Sequence, residues 1–187
     1  MYWPRRTNNQ PTDTGVTGLI DERAVQQLIE RQAVEEVLYR YASSIDQKDY
    51  ATLRSCFVAE VVAQYAEAPE IHGVDDLVGW IDQMCVSQSF QHHLINVYHV
   101  DLDLDAGTAS ALTYHTSHQI KSEEPDTDTL IVGRYRDALR KVDGRWLITD
   151  KRMEVGWIEE RTYSQSAAND KETAENLAAQ ERAEVKR

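Results

Sequence analysis

The segment Tyr41-Ala42-Ser43-Ser44-Ile45-Asp46-Gln47-Lys48-Asp49-Tyr50 decides the fold, because it ends one amphipathic helix and leads into a second. Asp46 falls on the edge of the buried face of the first helix, at its C-terminal end. The helix dipole and burial both disfavour a carboxylate there unless a donor or a cation meets it. Asp46 is therefore the first candidate functional residue. Apolar residues at intervals of three and four predict that face: Val25, Leu28, Ile29, Val34, Val37, Leu38, Tyr41, Ala42 and Ile45.

The composition predicts one soluble globular domain with polar ends. The chain has 187 residues, of which 41% are hydrophobic and 28% charged, with a net charge of -12. This charge argues against nucleic acid or an anionic membrane as a partner. No apolar run is long enough to span a membrane, and no signal peptide is predicted. Cys56 and Cys85 fall in predicted helices, so we expect no disulfide, no metal motif, no cofactor and a cytoplasmic location.

Three helices are expected after a flexible N-terminal arm of residues 1–20. Asp21 is the predicted cap of a helix that runs to about Ile45, and Asp49 caps a short helix over residues 50–57. A third helix is predicted over residues 74–86. Its expected buried side consists of Leu77, Val78, Ile81 and Met84.

Alternation with a period of two predicts the strands. Two short strands are expected at residues 61–65 and 71–72, followed by two long hairpins over residues 93–121 and 130–158. The hairpins turn at Asp105-Ala106-Gly107 and at Asp143-Gly144. A polar tail of residues 164–187 then follows a domain of residues 21–163. This order predicts an α+β fold, in which a curved antiparallel sheet wraps around three helices to form a cone with a pocket.

Side-chain direction has to be worked out separately in two of the long strands. On residues 108–121 the even positions are larger and less polar than the odd ones, so we expect Tyr114 and His118 to point into the cone. On the strand around His93 both faces carry apolar residues. A bulge would reconcile the two faces, and either His92 or His93 is then the histidine that faces the pocket. His72, His99 and His115 are expected at the surface.

The order of elements and several local sequences resemble the SnoaL-like branch of the NTF2-like superfamily, a cystatin-like α+β fold, over about residues 24–159. Residues 41–54, YASSIDQKDYATLR, look like a helix end of the scytalone dehydratase-like lyases, where an aspartate matching Asp46 belongs to the active site. His93, in the sequence Gln-His-His-Leu-Ile-Asn, matches their catalytic histidine. Tyr41 with Asp46 is similar to a pair in bile-acid 7α-dehydratase-like lyases.

The same resemblance implies further residues around the substrate. Tyr65 matches a tyrosine that holds the substrate carbonyl through water, and His118 matches a second site histidine. Arg152 is the nearest match to an arginine in the last strand of hexachlorocyclohexane dehydrochlorinases. Gly133 and Tyr135 replace a serine and an asparagine that hold scytalone, so a different substrate is expected. The residues assigned to substrate binding are Arg152, Tyr114 and Tyr135.

The residue types support proton transfer in an apolar pocket. The imidazole of His93 takes and returns a proton near neutrality, and Asp46 orients it. Tyr41 and Tyr65 donate hydrogen bonds to a developing enolate without carrying charge. Together they predict a cofactor-free lyase or dehydratase. It would remove a proton α to a carbonyl and eliminate water, or another leaving group, from a small apolar hydroxy-carbonyl substrate.

Several alternatives stay open at the level of the sequence. The same fold supports an isomerase, a polyketide cyclase or an epoxide hydrolase, or a non-catalytic protein such as a ligand-binding module or a dioxygenase small subunit. Any single histidine or tyrosine of the set is more often a structural residue. The pattern Asp101-Leu-Asp-Leu-Asp is expected on the outer face of a strand and predicts no calcium site. A homo-oligomer is expected, with the trimer of the dehydratase relatives favoured over a dimer.

Overall fold

The computed structural model describes residues 21–162. Within this range the chain forms α1 (Glu22–Asp46), α2 (Tyr50–Arg54), β1 (Phe57–Tyr65), β2 (Ile71–His72), α3 (Val74–Cys85), β3 (Gln88–Asp103), β4 (Thr108–Lys121), β5 (Thr127–Val142) and β6 (Arg145–Thr162). The predicted order of helices and strands is confirmed. The proposed arm, residues 1–20, and the proposed tail, residues 164–187, lie outside the described residues.

All six strands form one curved, unclosed sheet with the order β2-β1-β6-β5-β4-β3. The α+β fold is therefore confirmed. The four long strands pair antiparallel as expected, and the one parallel pairing of the described sheet joins β1 and β6. The meander from β3 to β6 begins at the far edge of the sheet, and its three reversals bring β6 alongside β1 in the same direction.

Helix α1 starts and ends as its sequence predicts, but its first turns are not buried. Asp21 accepts hydrogen bonds from the backbone N–H groups of Arg23 and Ala24, and the α2 cap Asp49 accepts one from Thr52. From Val34 onwards the apolar side of α1 is in the core. Leu28 is 68% exposed, and the described part of the sheet does not cover it. The other exposed members of the predicted core are Val25, Ile29 and, on α3, Met84.

The side-chain direction predicted for β4 is wrong. Its odd positions face the core: Ala109, Ala111, Thr113, His115 and Ser117. The inner face lies against large aromatic rings such as Tyr135, and small residues leave room for them. The larger even residues, among them Tyr114 and His118, are consequently on the outer face.

Strand β3 contains the irregularity that its sequence required. The register with β4 shifts between Val97 and His99, which confirms the expected bulge. Before the bulge Gln91 and Val97 are buried, and after it the half-buried residues are Val100 and Leu102. His93 therefore lies on the inner face, whereas His92 is on the outer one.

No helix within residues 21–162 is long and apolar enough to cross a membrane. Cys56 and Cys85 are both buried as free thiols.

Candidate active site

A cavity of about 260 Å³ lies between α1, α3 and the inner face of the sheet. Apolar side chains form much of its wall: Ile45, Trp80, Ile81, Met84, Ile131 and Met153. Its polar lining includes Tyr41, Tyr65, Gln91, His93, Ser117 and Gln119. Among the described residues, no Asp, Glu, Lys or Arg lines this cavity. The cavity therefore suits a small, uncharged molecule that needs few polar contacts.

Asp46 and His93 meet at the wall of this cavity although 47 positions separate them. Asp46 Oδ1 lies 2.6 Å from His93 Nδ1, and Asp46 Oδ2 accepts the backbone N–H of His93 at 2.9 Å. These two donors satisfy the carboxylate that the helix end disfavours. With Asp46 ionised, the proton of the neutral imidazole is on Nδ1, which leaves Nε2 as the acceptor atom.

The end of α1 is fixed to β3 by two more contacts beside this pair. Lys48 Nζ donates to the backbone carbonyl of Gln88 at 2.8 Å, and Gln91 Nε2 donates to the carbonyl of Ile45. Lys48 has a positive φ of 54°, which turns the chain sharply after the helix. The Asp46–His93 pair thus lies at a rigid junction of two elements, as a precise proton-transfer geometry requires.

Two tyrosine hydroxyls in the cavity wall are hydrogen-bonded to each other. Tyr41 Oη and Tyr65 Oη are 2.9 Å apart, and the Tyr65 ring stacks on Trp80 with 4.8 Å between centroids. Burial raises the pKa of both phenols well above the ordinary value. Both tyrosines are therefore neutral hydrogen-bond donors at physiological pH.

His115 was predicted at the surface, but it is buried next to the site, against two residues that line the cavity. It is 3% exposed, its ring stacks on Tyr135 at 4.4 Å, and its centroid lies 6.5 Å from that of His93. Neither ring nitrogen has a partner among the described residues. Gly133 on β5 lies directly opposite, and a Cβ there would come within 3.0 Å of His115 Nε2. A glycine inside a strand signals such a close approach.

Burial lowers the pKa of His115 to about 4, and nearby His93 and Lys151 act in the same direction. The unfolded chain, with a histidine pKa of about 6.5, binds more protons than the folded chain between pH 6.5 and 4. Stability is therefore lost as the pH falls through this window. Relative to His115→Leu, we expect the wild type to lose about 3 kcal/mol of unfolding free energy between pH 7 and 4. Urea unfolding at each pH measures the difference, and parallel curves for the two proteins would contradict it.

A buried ion pair lies behind the tyrosines, on the neighbouring strands β5 and β6. Lys151 Nζ donates to Asp137 Oδ1 at 2.9 Å, and Lys151 is 1% exposed. The same Nζ lies 3.9 Å from the ring centroids of both Tyr41 and Tyr135. Burial lowers the pKa of Lys151 and raises that of Asp137, while their mutual attraction opposes both shifts. No local pattern in the sequence predicts this pair.

Three residues that the sequence assigned to the site lie elsewhere. His118 and Tyr114 are on the outer face, where His118 Nδ1 is 2.7 Å from Asp128 Oδ2. The alternative histidine, His92, stacks on His118 there at 6.3 Å. Arg152 points away from the cavity and bonds both oxygens of Asp150 at 2.8 and 2.9 Å. The even positions of β4 and β6 share this outer face, which explains all three corrections.

No metal-binding cluster is evident in the described part of the chain, where no three or more His, Cys, Asp and Glu side chains are grouped to hold an ion. The donors at the cavity are instead hydroxyls, amides and imidazoles. Such a set fits direct hydrogen bonding to an organic ligand.

An open α+β cone that encloses a cavity of this kind is typical of small-molecule-binding domains. The sequence model of the SnoaL-like domain matches residues 26–152. The chain belongs to this SnoaL-like family.

Several solved structures share the fold of this chain. A provisionally named scytalone dehydratase from Novosphingobium aromaticivorans is 19% identical with a TM-score of 0.67, over 75% of this chain and 93% of that one. A type 2 hexachlorocyclohexane dehydrochlorinase is 12% identical with a TM-score of 0.69, over 79% and 99%. A type 3 form from Novosphingobium barchaimii is 11% identical with a TM-score of 0.67, over 76% and 99%. A search of curated proteins finds no match.

Proposed function

We propose that the protein is a cofactor-free lyase that eliminates water from a small, neutral hydroxy-carbonyl compound. The observation that supports this proposal is His93, hydrogen-bonded to Asp46, in the wall of a cavity that no acidic or basic side chain of Asp, Glu, Lys or Arg lines among the described residues. A carboxylate-oriented imidazole is a general base, and an uncharged cavity favours a substrate whose reactive hydrogen is acidified by a carbonyl group. Two of the similar solved structures are named as dehydrochlorinases and one as a dehydratase, and both reactions are eliminations.

The proposed reaction has two proton transfers on one imidazole. His93 Nε2 removes the proton α to the carbonyl, and the electron pair of the broken C–H bond moves into an enolate. Asp46 stabilises the imidazolium that forms. The hydrogen-bonded hydroxyls of Tyr41 and Tyr65 stabilise the enolate: one donates to the enolate oxygen, and the other donates to the first. When the β C–O bond breaks, the imidazolium protonates the departing hydroxyl, and water leaves with the free base restored.

The cavity lining also limits the size and shape of the substrate. Its volume of about 260 Å³ fits a compact molecule, and the stacked rings of Tyr65 and Trp80 offer a flat apolar surface to a ring. Tyr135 is in the wall and is retained as a substrate-contacting residue. His118, Tyr114 and Arg152 have no place in this proposal, because they lie on the other face of the sheet.

An isomerase or cyclase is the second candidate, since the same base would return its proton to a different carbon of the enolate. Product mass distinguishes the two reactions. An isomerase product has the same mass as its substrate, whereas the elimination product is lighter by one water. A polar leaving group also needs a proton donor, and the imidazolium of His93 meets this need in the elimination.

The expected partners and location also belong to this proposal. Large apolar side chains are exposed on the outer face of the sheet, among them Leu94, Tyr98 and Tyr114. Their exposure supports a homo-oligomer that would bury them, a trimer in preference to a dimer, and sedimentation equilibrium would measure the number of copies. A cytoplasmic location is supported by the free thiols of Cys56 and Cys85, and cell fractionation tests it.

A substrate screen in D₂O tests the reaction. The wild type and His93→Ala are incubated with a panel of cyclic hydroxy-ketones, halogenated analogues and ketones without a leaving group. Mass spectrometry should show loss of one water from a hydroxy-ketone, and deuterium at the α carbon of ketones that cannot eliminate. His93→Ala should do neither. Equal turnover by the two proteins would remove His93 from the mechanism, and deuterium uptake without elimination would favour the isomerase.

A further inference from the structure

The Lys151–Asp137 pair is the most deeply buried ion pair within residues 21–162, and the proposed chemistry does not use it. Lys151 does not line the cavity, yet its ammonium lies between the faces of two rings that do. In the sheet it lies between Ala63 of β1 and Asp137 of β5, on the inner face. Its position is therefore behind the tyrosine wall and not at the surface of the site.

Stability alone does not account for this pair. Removing two charges from water is costly, and replacing a buried ion pair by apolar residues of similar volume is often neutral or stabilising. Asp137 Oδ2 also has no partner among the described residues, so the pair is not fully satisfied. A charge retained under these conditions points to a role beyond packing.

The contacts of Lys151 connect it to the donors of the cavity. Cation–π contacts are stronger for a desolvated ammonium than for an exposed one, and two at once restrict both ring planes. The Tyr41 ring packs edge-on against Tyr135 at 5.8 Å, and its hydroxyl reaches Tyr65. The direction in which the Tyr41 hydroxyl points is thus set from behind by the ammonium.

We propose that Lys151, held by Asp137, is a positioning residue that aligns Tyr41 and Tyr135 so that the Tyr41–Tyr65 hydroxyl pair binds an oxyanion in preference to a neutral oxygen. This inference rests on the proposed function, because the oxyanion that the hydroxyl pair would bind is the enolate oxygen of the proposed reaction. The ammonium is the positive end of the ion pair and lies against the Tyr41 and Tyr135 rings. In a medium of low dielectric constant, a pair oriented in this way favours a developing negative charge on its positive side more strongly than in water.

The test uses 4-nitrophenolate as a probe for the oxyanion and 4-nitroanisole as its neutral counterpart. The double variant Lys151→Met/Asp137→Leu removes the pair without leaving a buried charge. We expect its affinity for 4-nitrophenolate to fall about tenfold, while its affinity for 4-nitroanisole stays within about twofold of the wild type. Arg152→Met is the matched control, since it removes the adjacent cation on the outer face and should change neither affinity. Tyr65→Phe should weaken phenolate binding, which locates the probe.

Two results would overturn the inference. One is unchanged preference for the phenolate in the double variant. The other is an equal loss of affinity for both probes, which would mean that the pair only packs the wall. Binding of the phenolate requires no proton transfer by His93, so it is independent of the substrate screen. Loss of preference in the double variant together with an inactive screen would support the role of Lys151 and overturn only the lyase.

Discussion

Replacing Asp46 by asparagine is expected to lower the turnover of the identified substrate by about 10³- to 10⁴-fold while the fold stays intact. Asparagine keeps the shape of the side chain, and its oxygen still accepts the backbone N–H of His93. Its NH₂ group then faces Nδ1 and favours the tautomer with the proton on Nε2, which is unable to act as the base. The measurement is kcat together with the thermal midpoint. Turnover near that of the wild type would contradict the role of the carboxylate.

Adjacent histidines provide the matched control for the same site. His93→Ala removes the proposed base, and we expect a loss of about 10³-fold or more. His92→Ala removes a neighbouring ring on the outer face, and its activity should stay within about twofold of the wild type, because that ring contacts His118 and not the cavity. Equal losses in the two variants would mean that the histidines act on folding or assembly.

Replacing Lys151 by methionine alone is expected to cost about 3 to 5 kcal/mol of unfolding free energy. The change leaves the carboxylate of Asp137 buried without its cation, 2.9 Å from where the ammonium was. The double change Lys151→Met/Asp137→Leu should recover most of this loss. Denaturant unfolding of the single and double variants gives both values.

The outcome also reports the charge state of the pair. A loss of unfolding free energy below about 1 kcal/mol for Lys151→Met would contradict an ionised pair. A protonated, neutral Asp137 would cost little to bury without the ammonium. Arg152→Met is again the control. Its bonds to Asp150 are partly exposed, so we expect a change of at most about 1 kcal/mol.

The sequence predicted the elements because their signals are local. Asp21 and Asp49 cap helices through short-range hydrogen bonds, and the Asp143-Gly144 turn supports the two positive φ angles observed there. The proximity of Asp46 and His93 had two independent indications. One was a carboxylate that the helix end disfavours, and the other was the resemblance of the segments around both residues to known lyases.

The direction of β4 failed because size and polarity do not decide which face of a strand is inside when the core contains large rings. Thr113, His115 and Ser117 are buried against aromatic neighbours, and Gly133 makes room for the His115 ring. These relations join residues from different strands, and no window of sequence contains them. Arg152 was assigned to the site only by its resemblance to an arginine of known dehydrochlorinases. Adjacent residues of a strand point in opposite directions, so Lys151 takes the inner face of β6 and Arg152 the outer one.

The bulge between Val97 and His99 divides β3 into two segments. From Gln91 to Val97 the odd-numbered residues lie on the inner face, and after the bulge the even-numbered residues Val100 and Leu102 do. An insertion or deletion at this point would reverse the side-chain directions only in the residues after the bulge. His93, which pairs with Asp46, would keep its position. Substitutions and length changes in the part of β3 after the bulge, and in the surface that it forms, are therefore compatible with an unchanged Asp46–His93 pair.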